Sequence, residues 1–335
     1  MRKMTKPWNY LIVTAANDRQ AKAYDLQIQQ RQEAGEISQV RNCLVIADAD
    51  GRRVGSGGST FHCLWSVLRR ERLGAGPSSF EEAEAILSAL RILIVHAGGD
   101  SRRLPAYSHC GKMFVPLPAK GQSSTTLFDQ LVPTFLTLPE SPAGQVVVAS
   151  GDALILFDAW AVNFNRPGIT ALGSFTSAGV AAHHGVFCSD KNGSVRRFLQ
   201  KPSPHVQVTA GAVNDGEAIL DLGIMSCGAD AAVRLMRAFF HEDSEVDGTP
   251  VQLFKPQAHA AMFSHGIDLY REVCCALGKS CCTSAGSAAS TTMQNQSLTH
   301  NLARTEALCR SSEKARIGSH GLEAYGSFCG TPYLG

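Results

Sequence analysis

Short apolar runs alternate with longer amphipathic segments along residues 18–240. An apolar run bounded by turn residues is typical of a buried strand, whereas a longer segment rich in helix-forming residues indicates a helix. Strands that alternate with helices predict a mostly parallel sheet with helices packed against it. The predicted strands are residues 43–47, 92–95, 113–117, 145–149 and 218–225, and the predicted helices are 18–32, 61–73, 81–90, 126–138 and 230–240.

An antiparallel addition is indicated further along the chain. Apolar segments 180–188 and 195–199 flank the residues Asp190-Lys-Asn-Gly193, and Asn-Gly between two apolar runs is a strong signal for a β-hairpin. We therefore expect an α/β fold in which a mostly parallel sheet carries an antiparallel hairpin.

Residues 279–335 differ in composition from the rest of the chain. They contain no Val, Asp or Trp, are dense in Ser, Thr, Ala and Cys, and have Ile317 and Phe328 as their only Ile and Phe. Because such a segment buries little apolar surface, we expect a poorly ordered tail after a domain of residues 1–278. An altered reading frame in the gene would produce the same break, and the sequence alone leaves both explanations open.

Composition and charge exclude several classes of protein. With 44% hydrophobic and 18% charged residues, the chain is neither disordered nor fibrous. A net charge of +2 gives no basic surface for nucleic acid or an anionic membrane. No run approaches the ~20 apolar residues of a membrane helix, so a cytoplasmic location is expected. The 11 cysteines lack CxxC spacing, so we expect no structural metal among them.

Residues 95–116 carry the most informative chemistry. A predicted strand leads into paired glycines, which let the backbone turn sharply and present N–H groups to an anion. Arginine side chains and a lysine follow, so the segment offers what a polyphosphate needs: backbone donors, a forked guanidinium and a point charge. The alternative is a plain glycine turn with solvated basic side chains. The predicted phosphate contacts are Gly98, Gly99, Ser101, Arg102, Arg103 and Lys112.

A second glycine-rich segment, residues 55–60, precedes the predicted helix 61–73. As a loop that opens a helix, it would form a second backbone pocket for an anion or a base. A tight strand-to-helix turn without a ligand is the alternative. The residues predicted to line this pocket are Gly55, Gly57, Gly58 and Ser59.

Several of these segments together resemble one family. The signature GGxSxRLP with a later GK and Pro, at residues 98–116, looks like the loop of sugar-nucleotide pyrophosphorylases. More closely, the chain resembles the fucose-1-phosphate guanylyltransferase family, whose module also forms the N-terminal part of bifunctional fucokinase/GDP-fucose pyrophosphorylases. The matching segments run in order over about residues 8–278, and they are 8–16, 55–64, 96–116, 184–189, 198–203 and 267–278.

The resemblance implies a Rossmann-like nucleotidyltransferase core that makes GDP-L-fucose and pyrophosphate from GTP and L-fucose 1-phosphate, with Mg²⁺ as cofactor. No nucleic-acid or membrane partner is implied. In this interpretation Arg103 holds the β- and γ-phosphates, Lys112 lies near the α-phosphate, and Lys201 contacts the sugar phosphate. Asp152, after the strand 145–149, is expected to bind the metal together with Asp268.

Each of these assignments has an alternative. Asp152 and Asp268 are also suited to cap a helix N-terminus, Lys201 could be a solvated loop lysine, and Asp221 is a second candidate for the metal.

The family's small β-rich C-terminal domain and the fucokinase domain are not evident in residues 279–335. The alternative function is therefore an inactive, nucleotide-binding remnant of a bifunctional enzyme.

Overall fold

The computed structural model describes residues 6–48, 51–74, 76–98, 107, 110–117, 125–165, 168–190, 193–240, 266–275, 277 and 317–321. Within these ranges it forms a mixed α/β fold. The strands are β1 (Trp8–Ala15), β2 (Val40–Ala47), β3 (Arg91–His96), β4 (Pro116–Leu117), β5 (Thr125–Thr126), β6 (Gln145–Ser150), β7 (Ile169–Ser177), β8 (Gly185–Ser189), β9 (Val195–Gln200), β10 (Val213–Asn214), β11 (Glu217–Cys227) and β12 (Ile317–Gly321).

Helices join most of these strands. They are α1 (Asp18–Glu33), α2 (Gly55–Glu71), α3 (Phe80–Ser88), α4 (Leu127–Leu136), α5 (Ala178–Ala181), α6 (Pro204–Thr209), α7 (Ala229–Phe240) and a short π-type helix, Leu269–Cys274. No helix in the described part of the chain is both long and apolar enough to cross a bilayer.

The main sheet has the order β12-β7-β11-β6-β3-β1-β2. Its β6-β3-β1-β2 half is parallel, whereas β11 runs antiparallel to both β6 and β7. Strands β8 and β9 form the expected antiparallel hairpin, which pairs with β11. The predicted fold class is therefore confirmed, and a separate two-stranded sheet, β4-β5, lies outside the main one.

The parallel strands are apolar on both faces because helices cover both faces. In β1, Tyr10 and Ile12 belong to one buried cluster, and Leu11 and Val13 belong to a second cluster on the opposite face. This is the pattern of a strand in the middle of a parallel sheet, where neither side chain face meets water. The apolar runs of β2, β3 and β6 were predicted as strands on this basis, whereas β1, at Trp8–Ala15, was not predicted.

Three local predictions were wrong. Segment 180–188 begins inside the short helix α5, so only its second part is a strand. Residues 111–114 form turns, and the predicted strand 113–117 shrinks to the two residues of β4. The glycine-rich segment 55–60 is not a loop but forms the first turns of α2.

Five residues of the 279–335 segment, those of β12, pair in parallel with β7 at the edge of the sheet. An edge strand needs backbone partners on one side only, so it demands less of its side chains than a central strand does. That the remaining residues of this segment form a poorly ordered tail stays a prediction, since they lie outside the described ranges.

Candidate active site at the carboxyl edge of the sheet

Strands β1, β3 and β6 are parallel neighbours, so their carboxyl ends meet at one edge of the sheet, where ligands of open α/β folds bind. The glycine segment that follows β3 is tied down at its start. The Thr14 hydroxyl oxygen accepts hydrogen bonds from the Ala97 and Gly98 amides at 3.2 and 3.4 Å. Gly98 itself is exposed, so its backbone is accessible from this edge.

The same edge brings together two residues that the sequence predicted for different tasks. The Lys112 ammonium donates to Asp152 Oδ2 at 2.8 Å, and the Ser150 hydroxyl donates to Asp152 Oδ1 at 2.7 Å. Both side chains of the ion pair stay about half exposed, at 56% and 46%. The pair is therefore accessible to an incoming phosphate.

The charge state of Asp152 follows from these contacts. Partial burial raises the pKa of this carboxyl, but the hydrogen bonds from Lys112 and Ser150, together with the charge of Lys112, outweigh burial and leave the pKa below its usual value. Asp152 is thus a carboxylate at neutral pH, and Lys112 is its counter-ion.

Tyr24 of α1 holds the turn that carries Lys112. Its hydroxyl donates to the Ala97 carbonyl at 3.0 Å, and its ring packs against Phe114 with centroids 4.9 Å apart. A Cβ added at Gly111 would lie 1.6 Å from the Tyr24 hydroxyl oxygen. Only glycine therefore lets the chain pass this hydroxyl directly before Lys112, and Gly111 also has a positive φ of 56°.

The glycines at the start of α2 contact residues 266–269, far along the chain. The amides of Gly57 and Gly58 both donate to the Ile267 carbonyl, at 2.8 and 3.2 Å, and the Leu269 amide donates to the Ser56 hydroxyl at 2.9 Å. A Cβ at Gly55 would lie 2.2 Å from the Ile267 oxygen. Residues 55–60 therefore form a clamp for residues 266–269.

The close approach between these residues and the backbone of Ile267 accounts for the glycines without any ligand, because a Cβ would clash there. It also uses the Gly57 and Gly58 N–H groups that were predicted to bind an anion, so those two donors already have a protein acceptor. The Ser59 hydroxyl likewise donates to Asp48, which follows β2 at the same edge of the sheet. Asp48 is a polar residue of this edge that the sequence prediction missed, although its position after a buried strand is the signal that identified Asp152.

Asp268 lies in the clamped segment and caps the following helix. Its Oδ1 accepts from the Tyr270 and Arg271 amides at 2.9 and 2.8 Å. Its own amide donates to Glu272. The geometry is thus that of the alternative, an N-cap, and the metal role of Asp268 stays a prediction.

Asp221 is the more deeply buried carboxyl of the site, with only 9% of the residue exposed. It lies in β11 where the register with β7 shifts, and it accepts the Gly223 amide at 2.8 Å. A Cβ at Gly223 would contact Ser150, so Asp221 lies near the strand end that carries Asp152. Burial raises the pKa of Asp221 to about 7, and the bond from Gly223 offsets only part of that effect.

The raised pKa predicts a pH effect on stability. Between about pH 4 and pH 7 the unfolded chain releases the Asp221 proton that the folded protein keeps, so raising the pH favours unfolding. The variant Asp221→Asn lacks this proton equilibrium and should gain stability relative to the wild type across that window. Urea denaturation of both proteins at several pH values measures the difference in their free energies of unfolding, with the difference near pH 4 as the reference. Parallel pH curves for the two proteins would contradict the assignment.

With this geometry described, comparison with known proteins is informative. A family model described as a fucose pyrophosphorylase domain matches residues 84–310, more than half of the chain. The chain belongs to this family. The fucose pyrophosphorylase domain thus includes the glycine segment after β3, Lys112, Asp152 and Asp221, and continues through the clamped residues 266–269.

Individual relatives agree. The chain is 31% identical over 245 residues to the bifunctional fucokinase/GDP-fucose pyrophosphorylase of Arabidopsis thaliana, covering 65% of this chain and 23% of that protein. It is 30% identical over 209 residues to the fucose-1-phosphate guanylyltransferase of Homo sapiens, covering 58% and 32%. This chain therefore spans less than a third of the length of either relative.

A solved structure of CMP:2-keto-3-deoxy-manno-octonic acid synthetase complexed with CTP aligns with 94% of this chain and 90% of that one, at 10% identity and a TM-score of 0.29. That score is too low to support any conclusion about the fucose pyrophosphorylase domain.

Lys201 comes directly after the β8–β9 hairpin. Its amide donates to the His184 carbonyl at 2.9 Å, one position beyond the Gly185–Gln200 pair. Gly185 in turn packs against Asp221, because a Cβ there would lie 3.1 Å from the Asp221 Cβ. The hairpin therefore brings Lys201 to the side of the site that carries Asp221, and Lys201 has an uncommon positive φ of 50°.

The structure thus places Gly98, Lys112, Asp152 and Lys201 around one edge of the sheet, while Gly57 and Gly58 serve the clamp. The remaining members of the predicted phosphate loop, Gly99, Ser101, Arg102 and Arg103, lie outside the described residues. Their roles stay predictions.

Proposed function

We propose that this fucose pyrophosphorylase domain joins GTP and L-fucose 1-phosphate to give GDP-L-fucose and pyrophosphate. The observation that carries the proposal is the exposed Lys112–Asp152 pair at the carboxyl edge of the sheet, the edge at which Gly98 follows β3, in a chain of this family. The guanine base and the fucose are supported by the names of the relatives. The substrates are small molecules, and we propose a cytoplasmic location.

The reaction is a direct displacement. An oxygen of the sugar 1-phosphate attacks the α-phosphorus of GTP, a new P–O bond forms, and the bond to the β-phosphate oxygen breaks. The leaving pyrophosphate takes that electron pair. No enzyme nucleophile is required, so the protein has to align the two phosphates and neutralise the charge that grows on the leaving oxygen.

Lys112 suits the second task. Its ammonium is a compact charge with three donors, and among the described residues its partner is Asp152. The exposed half of the side chain leaves donors for phosphate oxygens. The Thr14 hydroxyl accepts the Gly98 amide and so holds the start of the glycine segment at the sheet edge.

The acidic residues fit a magnesium ion that is shared with substrate. Mg²⁺ takes one or two carboxylates and fills its other positions with water and phosphate oxygens. Among the described side chains, Asp152 Oδ2 accepts from Lys112 and Oδ1 from Ser150, and a carboxylate oxygen can accept more than one contact. Within the described residues no group of three acidic, His or Cys side chains could hold a metal alone. Asp152 would hold the ion, with Asp268 or Asp221 as the second carboxylate, and the ion would neutralise phosphate charge.

A substrate panel tests the function. The purified chain is incubated with each nucleoside triphosphate and a series of sugar 1-phosphates, with Mg²⁺, and pyrophosphate release is recorded. The proposal expects release with GTP and L-fucose 1-phosphate above every other pair. Calorimetry with GTP accompanies the assay, since GTP binding without release from any pair would contradict the proposal and favour an inactive remnant.

A further inference from the structure

His96, the last residue of β3, connects two parts of the site through hydrogen bonds. Its Nε2 lies 2.9 Å from the Thr60 hydroxyl oxygen in α2. Its carbonyl oxygen accepts the amide of Gly151 at 3.0 Å, and Gly151 directly precedes Asp152. A Cβ at Gly151 would lie 2.8 Å from that oxygen, so the ends of β3 and β6 approach each other more closely than a residue with a Cβ would allow.

The contacts of Thr60 determine which hydrogen His96 carries. The Thr60 hydroxyl lies 2.9 Å from the Ser56 carbonyl oxygen, which can only accept, so the single hydroxyl hydrogen points there. The hydrogen between Thr60 and His96 must then come from the imidazole. His96 is therefore a donor at Nε2. Removal from water lowers its pKa to about 4, with the charge of Asp152 opposing, so the ring is neutral at pH 7.

These bonds form a chain of contacts across the site. The Leu269 amide bonds to the Ser56 side chain, the Thr60 hydroxyl bonds to the Ser56 carbonyl, and His96 bonds to Thr60. The backbone of His96 then holds Gly151. The clamp on residues 266–269 and the strand end that carries Asp152 are thus joined through His96, by its imidazole on one side and its backbone carbonyl on the other.

We propose that His96 is a positioning residue for the transfer reaction: its Nε2–H, given to Thr60, holds the end of β3 and the Gly151–Asp152 turn in register with the clamp of α2. The inference rests on the proposed function. His96 acts through Asp152 and the Gly98 backbone, so its loss lowers turnover more than substrate binding. A misplacement of about 1 Å at reacting groups can cost ~10²-fold in rate.

Substitutions at Thr60 test this without removing the imidazole. Thr60→Val keeps the shape and removes the acceptor, and should lower kcat about 10-fold or more while KM for GTP stays within about twofold. Thr60→Ser restores the hydroxyl and should recover most of that loss. Ser66→Ala is the matched control, because Ser66 makes the same hydroxyl-to-carbonyl bond in the same helix, to His62 at 2.8 Å, and should keep wild-type kcat.

Two results would overturn the inference. The first is a Thr60→Val protein with wild-type kcat, even if it melts at a lower temperature, since that would make the bond merely structural. The second comes from long-range ¹H–¹⁵N spectra of the imidazole at pH 7. The spectra should show the Nε2–H tautomer in the wild type, and an Nδ1–H tautomer contradicts the proposal, because its Nε2 has no hydrogen to give to Thr60. If the wild type releases no pyrophosphate, the proposed function fails and the positioning role fails with it, while the spectra still test the His96–Thr60 hydrogen bond.

Discussion

Replacing Lys112 with alanine should slow pyrophosphate release from GTP by about 10²–10³-fold, the usual loss when one preorganised contact to transition-state charge is removed. The structure gives the reason, because Lys112 is held at the strand edge by Asp152 while about half of its side chain stays open to phosphate. The loss should appear mainly in kcat, since charge on the leaving oxygen develops during the reaction. Initial rates at saturating GTP and sugar phosphate measure it.

Lys6→Ala provides the matched control for Lys112. Lys6 also faces a carboxylate, Glu140 at 3.9 Å, but it is 82% exposed and precedes β1. An exposed pair of this kind contributes about 0–1 kcal/mol to stability, so the Lys6 variant should keep the wild-type rate. Equal rates for wild type and Lys112→Ala, or equal losses in the two variants, would contradict the assignment of Lys112.

The pH dependence of residual activity offers a second measurement on the Lys112→Ala protein. In the wild type, Lys112 helps to keep the pKa of Asp152 below its usual value against the effect of partial burial. Without the lysine, Asp152 loses one hydrogen bond and one positive charge that oppose the effect of burial, so its pKa should rise. Because the proposed reaction needs the carboxylate, activity of the variant should begin to fall at a higher pH than in the wild type.

Strands β3 and β6 could be predicted from the sequence because they are apolar on both faces, whereas β1 and β7 were not predicted. Runs such as 92–95 and 145–149 need no alternation in a parallel sheet, and each ends at a polar residue that the structure places at the carboxyl edge. Proximity was harder to predict. Lys112 and Asp152 were both identified from their local setting, but their ion pair joins residues 40 positions apart through the folded sheet.

The clamp shows why the second glycine segment was misjudged. Gly55 and Gly57 have the local pattern of a phosphate-binding loop, yet the contact that requires glycine is the backbone of Ile267, more than 200 residues later. Nothing local distinguishes a glycine that approaches a ligand from one that approaches a distant segment of the same chain. Asp268 carries the same ambiguity, since a carboxylate before a helix suits both a cation and two backbone amides.

Gly111→Ala should destabilise the protein by about 2–5 kcal/mol, because two penalties coincide. A left-handed backbone costs a non-glycine residue roughly 1–2 kcal/mol, and forcing an atom into a packed site costs about 1–3 kcal/mol more. Gly111 has a φ of 56°, and the new Cβ would lie 1.6 Å from the Tyr24 hydroxyl oxygen. Urea denaturation measures the loss, and activity should fall as well because Lys112 is the next residue.

Gly35→Ala separates the two penalties. Gly35 also has a positive φ, 74°, but no atom lies within 4 Å of the position its Cβ would take. This variant should therefore lose only the backbone penalty of about 1–2 kcal/mol and keep full activity. Adding Tyr24→Phe to Gly111→Ala removes the hydroxyl but leaves Cζ 2.7 Å from the new Cβ, so it should recover only part of the loss. Equal destabilisation by Gly35→Ala and Gly111→Ala would show that Tyr24 does not constrain the turn before Lys112.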